Sequence, residues 1–150
     1  MPTLPPARLD RVLETALYVA DMPASRYFYV EVLGGEVMLD THRLVAVAIG
    51  GTSVLLLFQR GSTEAPLPTP GGVVPGHGGY GMLHIAFAIA AGEVPAWEAR
   101  LGAAGVAIES VVEWPAGGRS IYLRDPDGHS LELATPGLWP SYQPAPHVNG

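Results

Sequence analysis

His84 and Glu132 are the residues of this chain whose types and setting most clearly suggest chemistry. The histidine opens the alternating segment L-H-I-A-F-A-I, and the glutamate lies in S-L-E-L-A, directly after the turn D-P-D-G-H at 125–129. An imidazole nitrogen and a carboxylate oxygen on two strands are donors suited to a divalent cation. A histidine in a strand serves equally well as a core residue bonded to a neighbour. Glu14, in L-E-T-A-L-Y-V-A, holds the place that His84 holds 70 residues later. A buried carboxylate is costly unless paired or metal-bound, so Glu14 and Glu132 either face solvent or share a cation. Tyr122 and Arg119 precede the turn. An interior tyrosine hydroxyl can bind substrate or donate a proton, and its plainer role is a packed strand aromatic. Trp114, in W-P-A-G-G, either shapes a cavity mouth or ends a strand. Asp125, Asp127 and His129 read as turn chemistry. His42, His77 and His147 read as solvated, with His77 in H-G-G-Y-G a candidate for a mobile lid.

The elements that position these residues repeat. Residues 13–20 alternate as a strand, and Asp21 with Pro23 starts a helix that stops at Gly34-Gly35. Strands follow at 36–40, 43–49 and 53–59, with Gly50-Gly51-Thr52 as a turn. After an aperiodic linker at 61–81, rich in Pro and Gly, the order returns: strand 83–90, helix 94–104 ending at Gly105, then strands 106–112, 119–124 and 129–134. Gly34 and Gly105 are 71 residues apart, the register that Glu14 and His84 already set. By the last strand the offset reaches 76, because D-P-D-G is longer than G-G, and Leu56 becomes the counterpart of Glu132. Alternation puts Glu14, Ala16, Tyr18 and Ala20 on one face and Leu13, Thr15, Leu17 and Val19 on the other. His84, Ala86, Ala88 and Ala90 likewise oppose Leu83, Ile85, Phe87 and Ile89. The bulky faces pack on helices, and the small-residue faces suit a sheet curving around a cavity.

Composition excludes several partners. One hundred and fifty residues make one domain. Hydrophobic content of 48% with 15% charged residues describes a compact protein, and no apolar run approaches the roughly 20 residues of a membrane helix. Eight Lys and Arg in a chain of formal charge −6 provide no basic patch for nucleic acid. The N-terminal residues carry no secretory signal, so a cytoplasmic location is expected. With no cysteine, any metal must be held by nitrogen and oxygen.

The segments L-Y-V-A-D and F-Y-V-E-V-L-G in the first half, with H-I-A-F-A-I and S-I-Y-L-R-D-P-D-G-H-S-L-E-L in the second, resemble the vicinal oxygen chelate superfamily. That superfamily includes glyoxalase I, extradiol dioxygenases, fosfomycin-resistance thiol transferases and bleomycin-binding proteins. The resemblance covers 9–136 and implies an α+β fold: two tandem βαβββ modules, at about 9–60 and 82–136, forming a curved, partly closed mixed sheet with helices on the outside. A C-terminal tail at 137–150 follows, with Trp139 and Tyr142 available to clamp on a neighbour. Carried over residue by residue, the family's ligand places fall on Glu14, Leu56, His84 and Glu132. Leu56 cannot bind a metal, so the four-ligand glyoxalase I site is not reproduced. Glu14 stands where dioxygenases and fosfomycin-resistance enzymes have histidine.

One histidine and two glutamates remain, and their charges would balance one divalent ion (Mn, Fe, Ni, Zn or Mg) with positions left open for two vicinal substrate oxygens. The resemblance therefore implies a metal-dependent enzyme acting on a small substrate by lyase or isomerase, dioxygenase or transferase chemistry. Glu132 and Tyr122 are its candidate catalytic groups, with Tyr122, Arg119, Trp114 and Phe58 toward substrate. It also implies a homodimer with composite sites, in which Glu14 serves the His84 and Glu132 either of its own chain or of a partner. The alternative is a metal-free protein binding a drug, with Val54, Leu56, Phe58 and Trp114 lining an apolar groove and the acidic charge attracting a cationic ligand.

Overall fold

A computed structural model describes residues 1–146; His147, expected in the tail, lies outside them. The first module runs β1 (Glu14–Val19), α1 (Met22–Tyr27) with a π-helical continuation over Phe28–Val32, β2 (Glu36–Asp40), β3 (Leu44–Ile49) and β4 (Ser53–Gln59). A hairpin of β5 (Leu67–Thr69) and β6 (Gly72–Val74) follows. The second module comprises β7 (His84–Ala88), a short 3-10 turn at Ala91–Glu93, α2 (Val94–Ala103), β8 (Ser110–Glu113), β9 (Arg119–Arg124) and β10 (Ser130–Ala134).

Local chemistry explains the helix boundaries. The Asp21 carboxylate accepts from the Ala24 amide at 3.0 Å and caps the first turn of α1. Gly34 and Gly105 take φ of 79° and 70°, the left-handed stop that a residue with a Cβ resists. The two landmarks of the repeat thus do the same work in both halves. Within the first helix the ladder widens, and the Leu33 amide reaches the Phe28 carbonyl.

Each module forms its own mixed four-stranded sheet, in the orders β1-β4-β3-β2 and β7-β10-β9-β8, with β1 parallel to β4 and β7 parallel to β10. Registers confirm the offset of 76: Leu56 pairs with Ala16 and Ala46, just as Glu132 pairs with Ala86 and Tyr122. The sheets do not close into a barrel, and β1 and β7 are edge strands. Their bulky faces meet in one core containing Leu17, Val19 and Tyr29 from the first half and Ile121, Leu131 and Leu133 from the second. Among the described residues no helix is long and apolar enough to cross a membrane.

A polar clasp ties the modules together at the D-P-D-G-H turn. The buried Tyr29 hydroxyl donates to Asp125 Oδ2 at 2.7 Å, and Asp125 Oδ1 accepts the amides of Asp127 and His129. Burial, then the Asp125 carboxylate, holds the Tyr29 phenol far above its ordinary range. Asp127 accepts from the Ala20 amide at 2.8 Å, from Ser25 and from Arg60. His129 Nδ1 accepts the Leu83 amide at 3.0 Å and its Nε2–H donates to the Tyr18 carbonyl at 3.2 Å. Turn chemistry was expected here, and the structure extends it to long-range bonding.

The linker and the tail differ from expectation. The linker at 61–81 is not aperiodic throughout, since it holds the β5–β6 hairpin. It is tied internally by the Thr63 hydroxyl, which donates to the His77 carbonyl, and it packs down on the first sheet, where Gly79 lies so close that a Cβ would meet the Tyr18 ring at 2.6 Å. In the tail, Tyr142 clamps its own chain, its hydroxyl 3.2 Å from the carbonyls of Ile89 and Ala134, while Trp139 stays exposed.

Candidate metal and substrate site

The open face of the second sheet assembles the site. Glu132 stands directly opposite Tyr122 in the β9–β10 register, and His84 is cross-paired with Ser130, two positions before Glu132. His84 Nε2 lies 3.3 Å from Glu132 Oε2. The other ring nitrogen, Nδ1, is 2.9 Å from the Ser130 carbonyl. A carbonyl only accepts, so Nδ1 carries a proton, and Nε2 is the ring nitrogen turned toward a carboxylate oxygen. Two electron-rich atoms at that separation call for a cation between or beside them, either a proton or a metal ion.

Glu132 is only 4% exposed although it sits on an open face, because neighbours enclose it. Ser120, fully buried, donates its hydroxyl to Glu132 Oε1 at 2.5 Å and accepts the Trp114 indole N–H at 2.7 Å. The His84 and Tyr122 rings stack with centroids 6.4 Å apart and planes 28° apart. Burial, followed by the charge of Glu132, pushes the Tyr122 phenol above its ordinary range, which keeps it protonated and able to donate. Sequence reasoning missed Ser120. Its even position in the strand, shared with Tyr122, was the available signal.

The other candidates are distributed differently. Glu14 is exposed and lines, together with Leu13, Val54, His84 and Phe87, a cavity of about 580 Å³ between the starts of β1 and β4 and the edge of β7. It does not join His84 and Glu132 in a cluster with all donor atoms within 4.8 Å of one another. Among the described residues only Asp125, Asp127 and His129 form such a cluster. Their donor atoms are already committed to the clasp, and both nitrogens of His129 are bonded. Arg119 departs from expectation: it faces the helix side with Ile121 and Leu123, held by Glu98 and Glu113 at 3.2 Å each. A side chain on that face does not reach a ligand beside Glu132. Phe58 and Tyr18 stack at 6.2 Å on the first sheet, and His77 closes over them, its Nδ1 2.7 Å from the Tyr18 hydroxyl. His77 is therefore held against the sheet by its neighbours.

Two modules of identical strand order, with polar groups on their small-residue faces, define a duplicated βαβββ protein. The chain belongs to the Glyoxalase/Bleomycin resistance protein/Dioxygenase superfamily, whose profile it matches over residues 8–133. It is similar to the lactoylglutathione lyase of Agrobacterium tumefaciens at 34% identity, over 89% of this chain and 99% of that one, with a TM-score of 0.80. A glyoxalase/dioxygenase from Nostoc punctiforme is 26% identical over 89% and 96% of the two chains, with a TM-score of 0.65. The fosfomycin resistance protein FosX of Listeria monocytogenes shares the fold at 23% identity, 87% and 97% coverage and a TM-score of 0.65. No curated protein is similar enough to this chain to count as a match.

Proposed function

We propose that this chain is a divalent-metal-dependent enzyme of the glyoxalase type, acting on a small substrate that chelates through two neighbouring oxygens. The observation that carries the reading is His84 Nε2 facing Glu132 Oε2 at 3.3 Å, with Nδ1 already committed to the Ser130 carbonyl. Donors that share an ion in adjacent coordination positions at about 2.1 Å lie roughly 3 Å apart, so the residues present fit a cation. His84 and Glu132 would hold it, with Glu14 as third ligand. A bound divalent ion would polarise the substrate oxygens and stabilise negative charge that develops on them.

The protein groups supply the rest. Glu132, enclosed by Ser120 and Tyr122, is held with Oε2 toward the cation and the substrate beside it. Tyr122, kept protonated, orients a substrate oxygen through its hydroxyl. Lyase or isomerase chemistry is favoured over dioxygenation by the likeness to a lactoylglutathione lyase at 34% identity. Leu56, where a fourth donor would stand, leaves the first module's face apolar between Ala16 and Ala46.

Glu14 acts in this reading from a second copy of the chain. Its exposure, its absence from the His84–Glu132 cluster and the unpaired edges of β1 and β7 support a composite site in a homodimer. Sedimentation tests this part, since a monomer that retains metal would remove it.

The test of the function is metal titration of chelator-stripped protein. Stoichiometric binding of Mn, Ni or Zn, abolished by His84→Ala and by Glu132→Ala, is the expected result. Absence of binding, or binding indifferent to both changes, would sink the proposal. The metal-free alternative draws on the aromatic surface of Tyr18, Phe58 and His77; EDTA-insensitive capture of a cationic ligand by protein that binds no metal would install it instead.

A further inference from the structure

We infer that Trp114 and Ser120 are positioning residues for Glu132: a one-way hydrogen-bond relay that occupies Oε1 and presents Oε2 alone to the cation beside His84. The inference rests on the metal-dependent reading of that pair.

The direction of the relay follows from donor chemistry. An indole nitrogen only donates, so Ser120 Oγ accepts from Trp114 at 2.7 Å. The serine has one proton, and the acceptor in front of it is Glu132 Oε1 at 2.5 Å. Ser120 is fully buried and Glu132 nearly so, and water is therefore a poor competitor for either bond. The origin of the relay is fixed as well. Trp114 ends the β8–β9 hairpin, its amide donating to the Gly118 carbonyl at 2.8 Å and its carbonyl accepting the Gly117 amide at 2.9 Å. Gly118 packs so closely on Gly137 that a Cβ there would meet that backbone at 2.7 Å. Ser120 is in register between Val112 and Ala134 at the centre of the sheet.

A carboxylate with both oxygens free rotates among orientations, most of which turn its oxygens away from His84 Nε2. Binding Oε1 to Ser120 removes that freedom and holds Oε2 in the binding orientation. Neither Trp114 nor Ser120 touches the cation, and their effect passes through Glu132.

The experiment is calorimetric titration of Mn2+ and Zn2+ into stripped wild-type protein, Ser120→Ala, Ser120→Thr, Trp114→Phe and the Ser120→Ala/Trp114→Phe double variant, with thermal melts as a fold control. Loss of such outer hydrogen bonds weakens metal binding by about 10- to 100-fold. Ser120→Ala and Trp114→Phe are expected to fall in that range, Ser120→Thr to retain wild-type affinity, and the double variant to bind no more weakly than Ser120→Ala, because the two groups act in series. Unchanged affinity in Ser120→Ala, while Glu132→Ala abolishes binding, would overturn the relay and leave the metal reading standing. Failure of the wild type to bind either ion would overturn both. A purely structural role would lower the melting temperature without moving the affinity of Ser120→Ala, and that result also counts against the relay.

Discussion

Tyr29→Phe isolates one bond of the clasp that joins the two modules. The lost hydroxyl donates at 2.7 Å to a carboxylate oxygen, and both residues are buried, with Tyr29 at 0% and Asp125 at 6% exposure. A hydrogen bond to a charged group contributes about 1.5–3 kcal/mol. Asp125 Oδ1 retains its two amide donors, so the carboxylate stays partly satisfied and the loss should sit near 2 kcal/mol, or roughly 4–8 °C in Tm for a chain of this size. The pH dependence gives a second, independent signature. The Tyr29 phenol is raised above its ordinary 10.0 by burial and by Asp125. Above pH 10 the unfolded chain therefore releases a proton that the folded chain keeps. The stabilisation is complete below that pH and declines above it by about 1.4 kcal/mol per unit. Phenylalanine cannot contribute that slope. Urea unfolding followed by fluorescence should show a gap near 2 kcal/mol between wild type and variant at pH 7 that closes by about pH 11.5. A gap that persists unchanged to that pH, or one below about 0.5 kcal/mol at pH 7, would refute the reasoning.

Gly79→Ala places a Cβ within 2.6 Å of the Tyr18 ring and should cost about 1–3 kcal/mol, with faster limited proteolysis in 61–81 as the readout. Arg119→Ala removes exposed ion pairs to Glu98 and Glu113 on the helix side; stability should fall by at most about 1 kcal/mol, and metal titration should match the wild type. Leu56→Glu adds a carboxylate at the mirror position of Glu132, and tighter metal binding than in the wild type is expected by calorimetry, with no gain if the first module's face lies outside the site.

The repeat made most of the fold legible. Glu14 with His84 and Gly34 with Gly105 set the register, and strands 36–40, 53–59 and 119–124 have the bounds expected from alternation. The strand expected at 106–112 is instead Ser110–Glu113, because the Val106 amide closes on the Leu101 carbonyl and pairing with β9 starts only at Ser110. The β5–β6 hairpin was not legible because its three-residue strands are exposed on both faces and leave no apolar period. In the site, parity put His84 on the small-residue face of its strand, and the β9–β10 register sets Tyr122 beside Glu132. The same rule puts Arg119 on the other, and only its partners on α2 and β8 make that plain. Ser120 and the commitment of Asp125 to Tyr29 depend on pairings between distant segments, which no local pattern encodes.

The clasp also orders events during synthesis. Its bonds link residues 96, 107 and 111 positions apart in the chain, so none can form until the ribosome has delivered the D-P-D-G-H turn. The first module can pair its own strands early, but its carbonyl at Tyr18 and amide at Ala20 must wait for partners from near the far end. At about 5–20 residues per second, the nascent chain spends several seconds with the bulky face of its first module uncovered. That interval, more than the stability of the finished molecule, is when this chain is most open to association with another copy of itself.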